Sequence, residues 1–352
     1  MKSLFFKKSK IVALIAAVAV AATSFGVYHS FAAGKIEQET SKVTINVDEA
    51  TVEDIAKSQG TISGHLYKIG EVSQTGQFSS EAIDIDAYTK LAGSEEAKAD
   101  EIAEFVDTAK AYVENNQVSG IDVELTDGSD SADVDNGIYL VSIDDVMSLT
   151  KVYQFTSFII AAPQNNYFSE GATDDAWNYD IVANAKVGTK DRLGDLVIQK
   201  DLERFYKVLS ADGKAQPTTA IFKIVVMDGE TKVYDDVQAV DFNGIGTNSI
   251  VIENLPAGST YTVSEVYAGG SYKVDGESTY TGTIVAGDKV EDEDTVISAS
   301  RVDGAVNVEN AELVEFKNDY SGTYNTGSIS VTNEFKLEGE NYKWTKIKGG
   351  AN

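Results

Sequence analysis

Short runs in which apolar and polar residues alternate dominate this chain, and they predict strands. Val43 to Val47 alternates, and apolar-aromatic runs follow at Leu66-Tyr67, Ile138 to Val141, Phe155 to Ile160 and Tyr179 to Val182. A period of two puts every second side chain on one face of a sheet, as a half-buried strand requires. One segment changes rhythm: Ile102, Phe105, Val106, Ala109, Tyr112 and Val113 return at helical spacing, after Ser94 with Glu95 and Glu96 at a suitable first turn. The pattern predicts a β domain with one inserted amphipathic helix. Val187 to Gly194, with two glycines and alternating charge, reads as a junction.

Beyond it, strand-like runs lie at Leu196 to Gln199, Ala220 to Met227, Ser249 to Ile252, Tyr261 to Val266, Tyr280 to Val285 and Leu313 to Phe316. Turns containing Asp-Gly or Pro-Ala-Gly separate them. Several short strands at such intervals predict an all-β protein built of immunoglobulin-like sandwiches in tandem. Ser328 to Phe335 reads as an additional strand, able to add to a neighbouring subunit. The expected organisation is a targeting segment over 1–33, a first β domain over 34–190, a second over 191–321, and an extra strand and tail over 322–352.

The targeting segment is read from Lys2, Lys7, Lys8 and Lys10, the apolar run Ile11 to Ala22, and the small residues Ala32 and Ala33, after either of which cleavage is expected. The run is shorter than the roughly twenty apolar residues of a membrane span, and no second one follows, so the mature form is not expected to cross a membrane. With 24% charged and 42% hydrophobic residues, the 352-residue chain has the composition of folded domains. Its net charge of −27 becomes more negative once the four leader lysines are removed. Such a surface repels phosphate backbones and anionic lipid, which argues against nucleic-acid binding and electrostatic membrane docking.

There is no cysteine, and His65 is the single histidine outside the leader. Disulfides, thiolate zinc sites and cysteine nucleophiles are thereby excluded, and no metal or cofactor is expected. A secreted hydrolase ranks last for want of a histidine-supported nucleophile, although carboxylates are numerous enough for a glycosidase pair. Asp127-Gly128-Ser129-Asp130-Ser131, with Asp133 and Asp135, fits a short metal-dependent adhesion pattern, but in a Gly/Ser/Asp loop it reads as a solvated turn, as do Glu291 to Asp294. An exported chain without disulfides needs another source of toughness.

Strand alternation places Leu196, Ile198 and Lys200 on one face, Tyr261, Val263 and Glu265 on another, and Val314, Phe316 and Asn318 on a third. Each strand thus carries one amine, acid or amide beside apolar neighbours. Spacing alone leaves two readings open. Lys200 snorkels out at a strand end and pairs loosely with Glu265, or all three groups are buried. In the second case desolvation lowers the lysine pKa and raises that of the glutamate, leaving a free amine beside a protonated acid. The amine attacks the amide carbonyl while the acid, hydrogen-bonded to the carbonyl oxygen, carries a proton to the leaving ammonia.

A resemblance bears on the choice. Leu196-Val197-Ile198-Gln199-Lys200, Ile252-Glu253-Asn254-Leu255-Pro256-Ala257-Gly258 leading into Tyr261-Thr262-Val263-Ser264-Glu265, and Val314-Glu315-Phe316-Lys317-Asn318 resemble, in order, the CnaB-type domain of Gram-positive surface proteins and pilins. The resemblance implies that Lys200 and Asn318 join in an isopeptide bond with Glu265 as catalyst. Asn333, which shares a face with Ile329, Val331 and Phe335, is the alternative amide.

The first domain extends the likeness. Gly64-His65-Leu66-Tyr67-Lys68-Ile69, Gly137-Ile138-Tyr139-Leu140-Val141, Phe158-Ile159-Ile160-Ala161-Ala162-Pro163 and Trp177-Asn178-Tyr179-Asp180-Ile181 resemble the N-terminal domain of sortase-assembled major pilins. That family carries Tyr-Pro-Lys where this chain has Asn184-Ala185-Lys186, which makes Lys186 the candidate intersubunit nucleophile. Lys68 is a further candidate amine, without an acid and amide to complete a trio. The function implied is a secreted, cell-surface pilin-like shaft subunit, self-crosslinked rather than enzymatic, with other pilin subunits and a sortase as partners. No Leu-Pro-x-Thr-Gly sorting motif occurs in the sequence, so the alternative is a non-polymerised adhesin binding a host or matrix ligand.

Overall fold

The computed structural model describes residues 35–92, 99–165, 176–209, 212–292, 294–307, 309–320, 333–338 and 341–346. The expected leader, and Ser94 to Glu96 before the helix, lie outside the described residues. The protein is mainly β, in several sheets, and divides into two compact units, the first ending at Lys190 and the second beginning at Asp191.

The first unit runs β1 (Thr40–Asn46), α1 (Glu49–Lys57), β2 (Ser63–Val72), β3 (Phe78–Ser80), α2 (Ile85–Ala92), α3 (Ala99–Asn116), β4 (Gly120–Glu124), β5 (Ser129–Asp135), β6 (Gly137–Ile143), β7 (Val146–Met147), β8 (Lys151–Phe155), β9 (Phe158–Ala162), β10 (Gln164–Asn165), β11 (Trp177–Asn178), β12 (Asp180–Asn184) and β13 (Val187–Asp191). A sheet of order β3-β2-β6-β9, with β4 also on β2, faces a sheet of order β12-β1-β5. Val43, Ile45 and Ile181 pack there against Leu66, Val141, Phe158 and Ile160. The other side of the larger sheet, through Ile138, Leu140, Ile159 and Ala161, is covered by Tyr88 of α2 and by Ile102, Val106, Ala109 and Val113 of α3. Burial on both faces explains why β6 and β9 read as unbroken apolar runs.

The second unit runs β14 (Leu193–Leu202), β15 (Val208–Leu209), β16 (Ala215–Gln216), β17 (Thr218–Asp228), β18 (Thr231–Phe242), β19 (Gly246–Pro256), β20 (Thr260–Tyr267), β21 (Tyr272–Asp275), β22 (Thr279–Thr283), β23 (Ser298–Asp303), β24 (Ala311–Tyr320), β25 (Asn333–Glu338) and β26 (Asn341–Lys346). Two sheets, β21-β24-β14-β19-β23 and β18-β17-β20-β22, form the sandwich. Leu196, Ile198, Ile250, Ile252, Val314 and Phe316 of the first meet Phe222, Ile224, Val226, Val240 and Val263 of the second. Strands β14 and β24 pair in parallel, with Lys200 opposite Phe316 and Leu202 opposite Asn318.

Two local devices set these strands. A Cβ at Gly194 would lie 1.9 Å from the Val285 carbonyl oxygen, so a glycine is required where β14 bulges against β19. Asn254 adopts φ 63, an accessible left-handed conformation for Asn. Its backbone N–H donates to Asp195 Oδ1 at 3.0 Å, and its Nδ2 donates to the Val296 carbonyl at 3.0 Å. With Gly258 at φ 84, the Asn-Leu-Pro-Ala-Gly segment turns the chain from β19 into β20.

Several expectations are corrected. The first unit has three described helices rather than one: α1 is short, capped by Asp48, which accepts from the Thr51 N–H at 2.9 Å, and it buries only Thr51 and Ile55, too few apolar positions to register as a period. Phe155 to Ile160 is two strands, β8 and β9, broken at Thr156-Ser157. The two units divide within the segment Val187 to Gly194, read as a junction, and that segment is largely strand, because β13 joins the sheet of β8 and β7. The extra strand read over Ser328 to Phe335 is described from Asn333 onward, where it forms a hairpin with β26; Phe335 pairs with Trp344 and Leu337 with Tyr342. Alternation continues past Phe335, which carries the strand further than the initial run suggested.

Candidate functional site

Strands β14, β20 and β24 direct Lys200, Glu265 and Asn318 into the core of the second sandwich. Inward positions alternate as Leu196, Ile198, Lys200 and Leu202 on β14, and as Tyr261, Val263 and Glu265 on β20. On β24 they are Val314, Phe316 and Asn318. Lys200 and Asn318 are each 1% exposed, and the side chain of Glu265 is 0% exposed. Lys200 therefore does not snorkel.

Glu265 uses both of its oxygens. Lys200 Nζ donates to Oε2 at 2.9 Å, and Asn318 Nδ2 donates to Oε1 at 2.7 Å. Asn318 Nδ2 also donates to the backbone carbonyl of Ala268 at 3.1 Å. Asn318 Oδ1 is buried with no hydrogen-bond partner among the described residues, an arrangement folded proteins rarely leave in place. The acid thus faces the amide nitrogen. This differs from the expected contact with the carbonyl oxygen, and the cause is the Ala268 carbonyl, an acceptor that demands a donor opposite it.

An aromatic wall excludes water. Lys200 Nζ lies 5.9 Å from the centroid of Phe316, which packs on Phe222 at 5.0 Å and edge-on with Tyr280 at 4.9 Å. Burial pushes the Lys200 pKa down, opposed by the hydrogen bond and charge of Glu265 and by the charge of Asp201. Burial likewise pushes the Glu265 pKa up, opposed by Lys200 and by the Asn318 hydrogen bond. Both shifts favour the neutral amine and neutral acid over the ion pair. Opposite charges 2.9 Å apart resist that transfer, so the two forms compete.

Alternation reveals the three polar side chains, but it does not reveal Ala268. Between Ile221 and Phe222 the pairing of β17 with β20 shifts register, so that Phe222 opposes Glu265 while Ile221 opposes Tyr267. The bulge leaves Val266 and Tyr267 exposed and precedes the turn at Gly269, where φ is 95. Bulges re-aim side chains and terminate pairing. The Gly269-Gly270 pair was the available sequence signal.

The other candidates lie apart from the trio. The backbone of Asn333 opens β25, and its side chain lies outside the described residues. Lys186 is exposed in the two-residue link between β12 and β13, and its carbonyl accepts from the Thr156 N–H at 3.0 Å. Lys68 Nζ pairs with the exposed Glu71 at 2.7 Å. His65 sets Nδ1 2.9 Å from Asp122 and Nε2 3.5 Å from Asp144, so both ring nitrogens face carboxylates rather than a nucleophile. The Asp127 to Ser131 segment is the β4–β5 turn and the start of β5. There Asp130 accepts the backbone N–H groups of Glu124 and Ser131, and Ser129 Oγ donates to Asn46. Among the described residues no helix is long and apolar enough to cross a membrane.

No protein-family model matches the chain, and no curated relative is found. Among solved structures it is similar to GBS52, the minor pilin of Streptococcus agalactiae, at 14% identity over 82% of this chain and 99% of that one, with a TM-score of 0.22. It is also similar to the full-length major pilin SpaD of Corynebacterium diphtheriae, at 13% identity over 81% of this chain and 98% of that one, with a TM-score of 0.28. The major pilin SpaA of the same organism aligns at 12% identity over 63% of this chain and 62% of that one, with a TM-score of 0.27.

Proposed function

We propose that this is a secreted structural protein of the cell surface, a pilin-like shaft subunit whose second domain is locked by an autocatalytic bond between Lys200 and Asn318. The observation that carries the reading is the bridging of amine and amide nitrogen by the two oxygens of one buried glutamate. The ordered likeness of residues 195–320 to CnaB-type domains supports it independently.

The step balances without a co-reactant. Proton transfer from Lys200 to Glu265 gives a neutral amine and a neutral acid. Nζ attacks Cγ of Asn318, forming the Nζ–Cγ bond. As the tetrahedral adduct collapses, Glu265 gives the proton it holds to Nδ2 and takes one from Nζ in its place. The Cγ–Nδ2 bond breaks, ammonia leaves, and the acid is regenerated. The reaction occurs once per chain. Its use in a fibre is mechanical: β14 and β24 are neighbours near the two ends of the domain, and a covalent link between them carries load that a hydrogen-bonded ladder would otherwise bear.

Intact mass of the mature protein tests this, beside Lys200→Ala, Glu265→Ala and Asn318→Ala. The expected result is a wild type lighter than its sequence by one ammonia and three variants at full mass. Full mass in the wild type sinks the reading.

A further inference from the structure

We infer that the backbone carbonyl of Ala268 is a positioning group for the crosslinking reaction, fixing the carboxamide of Asn318 with its nitrogen toward Glu265. The inference rests on the isopeptide reading and adds a participant to it. Asn318 Nδ2 has two acceptors, Glu265 Oε1 at 2.7 Å and the Ala268 oxygen at 3.1 Å, while Oδ1 has no partner among the described residues.

Glu265 cannot hold this orientation alone. As a carboxylate it accepts from Nδ2, but once it has taken the lysine proton it serves equally well as a donor to Oδ1. The carboxamide would then be free to turn over just as the amine becomes nucleophilic. The carbonyl of Ala268 never donates. Turning the carboxamide would bring Oδ1 against that oxygen, so Ala268 forbids the flip in both protonation states of Glu265.

Orientation decides where the proton goes. With Nδ2 toward Glu265, the acid protonates the leaving nitrogen, and the adduct collapses forward to the new amide and ammonia. With Oδ1 toward Glu265, the proton goes to oxygen, Nδ2 remains a poor leaving group, and the adduct expels the lysine amine again. Ala268 therefore acts on the partition of the intermediate, through Asn318.

The Ala268 carbonyl is aimed by the turn that follows it. Gly269 has φ 95, and a Cβ there would lie 2.9 Å from Tyr272 Cδ2 and 3.0 Å from Thr218 Cγ2. At Gly270 the nearest atom to an added Cβ is the Tyr267 hydroxyl at 3.8 Å. Gly269→Ala must shift the turn, whereas Gly270→Ala meets only ordinary van der Waals contact.

The test uses the full chain collected unfolded and unreacted in denaturant, before Lys200 and Asn318 can meet, then refolded by dilution, with ammonia loss followed by intact mass across pH. The expected result is a rate lower by about tenfold or more in Gly269→Ala, with the acid and alkaline flanks of the pH profile unmoved, and a wild-type rate in Gly270→Ala. A wild-type rate in folded Gly269→Ala overturns the inference. So does a slower rate with flanks displaced toward ordinary lysine and glutamate values, which marks water entry rather than lost orientation. If Gly269→Ala does not fold, a chain with an ester in place of the Ala268–Gly269 peptide decides, since it weakens the same acceptor without adding atoms. Slower reaction is expected there, and an unchanged rate overturns the inference. A wild type that loses no ammonia defeats the isopeptide reading itself; a wild type that reacts no faster than either altered chain defeats only the role of Ala268.

Discussion

Lys200 Nζ and Glu265 Oε2 meet at 2.9 Å from opposite sheets of one sandwich, with neither side chain more than 1% exposed. A buried ion pair is a weak source of stability, and breaking one by removing a partner is costly. Glu265→Ala is therefore expected to abolish the crosslink and to cost about 3–5 kcal/mol beyond the loss of the bond, because the amine is left buried and alone. Lys200→Met with Glu265→Gln removes both charges and is expected to recover part of that deficit. Denaturant melts of the uncrosslinked variants measure the difference. Equal stability for single and double variants contradicts it.

The crosslinking rate is expected to follow a plateau with two falling flanks. The reactive state holds one proton between Lys200 and Glu265, as does the ion pair, so between the two titrations the rate is independent of pH. Below the raised Glu265 pKa the pair gains a second proton and the amine is ammonium. Above the lowered Lys200 pKa the acid has no proton to deliver. Refolding of the unreacted chain, kept in denaturant until dilution, at a series of pH values with mass readout checks this; a rate rising monotonically to alkaline pH excludes Glu265 as the acid.

Stability of the unreacted fold has its own pH signature, measurable in Asn318→Ala. Glu265 is raised from 4.5, so from 4.5 up to its folded value the native state holds a proton that the unfolded chain has lost, and stability falls as pH rises. Lys200 is lowered from 10.5, so from its folded value up to 10.5 the unfolded chain holds the extra proton, and stability rises with pH. Melting temperatures that move oppositely in these windows contradict the burial argument.

Much of this arrangement was legible in sequence. Alternation is strict along most of β20 and β24, and on β14 it resumes after the apolar run Leu196 to Ile198, so a period of two places Lys200 on the face of Ile198 and Asn318 on that of Phe316. The reach of β18 was not legible, because Asp235, Asp236 and Asp241 interrupt its apolar positions. Ala268 was hard to read for a different reason: a backbone oxygen carries no side-chain signature, and the turn at Gly269 that aims it, after the bulge against β17, is marked only by the Gly269-Gly270 pair. The two-sided burial of β6 and β9 was present as continuous apolar runs, but that pattern alone does not say that helices supply the second cover.

Backbone geometry offers a control unrelated to the chemistry. Gly194→Ala forces a Cβ against the Val285 carbonyl and is expected to cost at least about 2 kcal/mol, whereas Gly244→Ala, with nothing within 4 Å of an added Cβ, is expected to stay within about 0.5 kcal/mol. Chemical denaturation of both settles whether β14 is seated as described.

Lys186 provides the test of polymer assembly. In a reaction with a pilus-type sortase and a peptide bearing a sorting motif, the wild type is expected to gain the peptide at Lys186, and Lys186→Ala is expected to lose the conjugate. Conjugation at the same level in the variant removes Lys186 from the account and moves the protein toward the adhesin reading.

Tandem mass spectrometry of a protease digest of the mature protein reads the bond between Lys200 and Asn318 itself. One branched peptide is expected, in which the Lys200 segment is joined to the Asn318 segment with loss of ammonia. Closing a loop of this length contributes about 5 kcal/mol by analogy with disulfides, so the same sample should also melt above Asn318→Ala. Recovery of both segments only as separate, full-mass peptides would contradict the claim and leave the trio as a buried polar cluster.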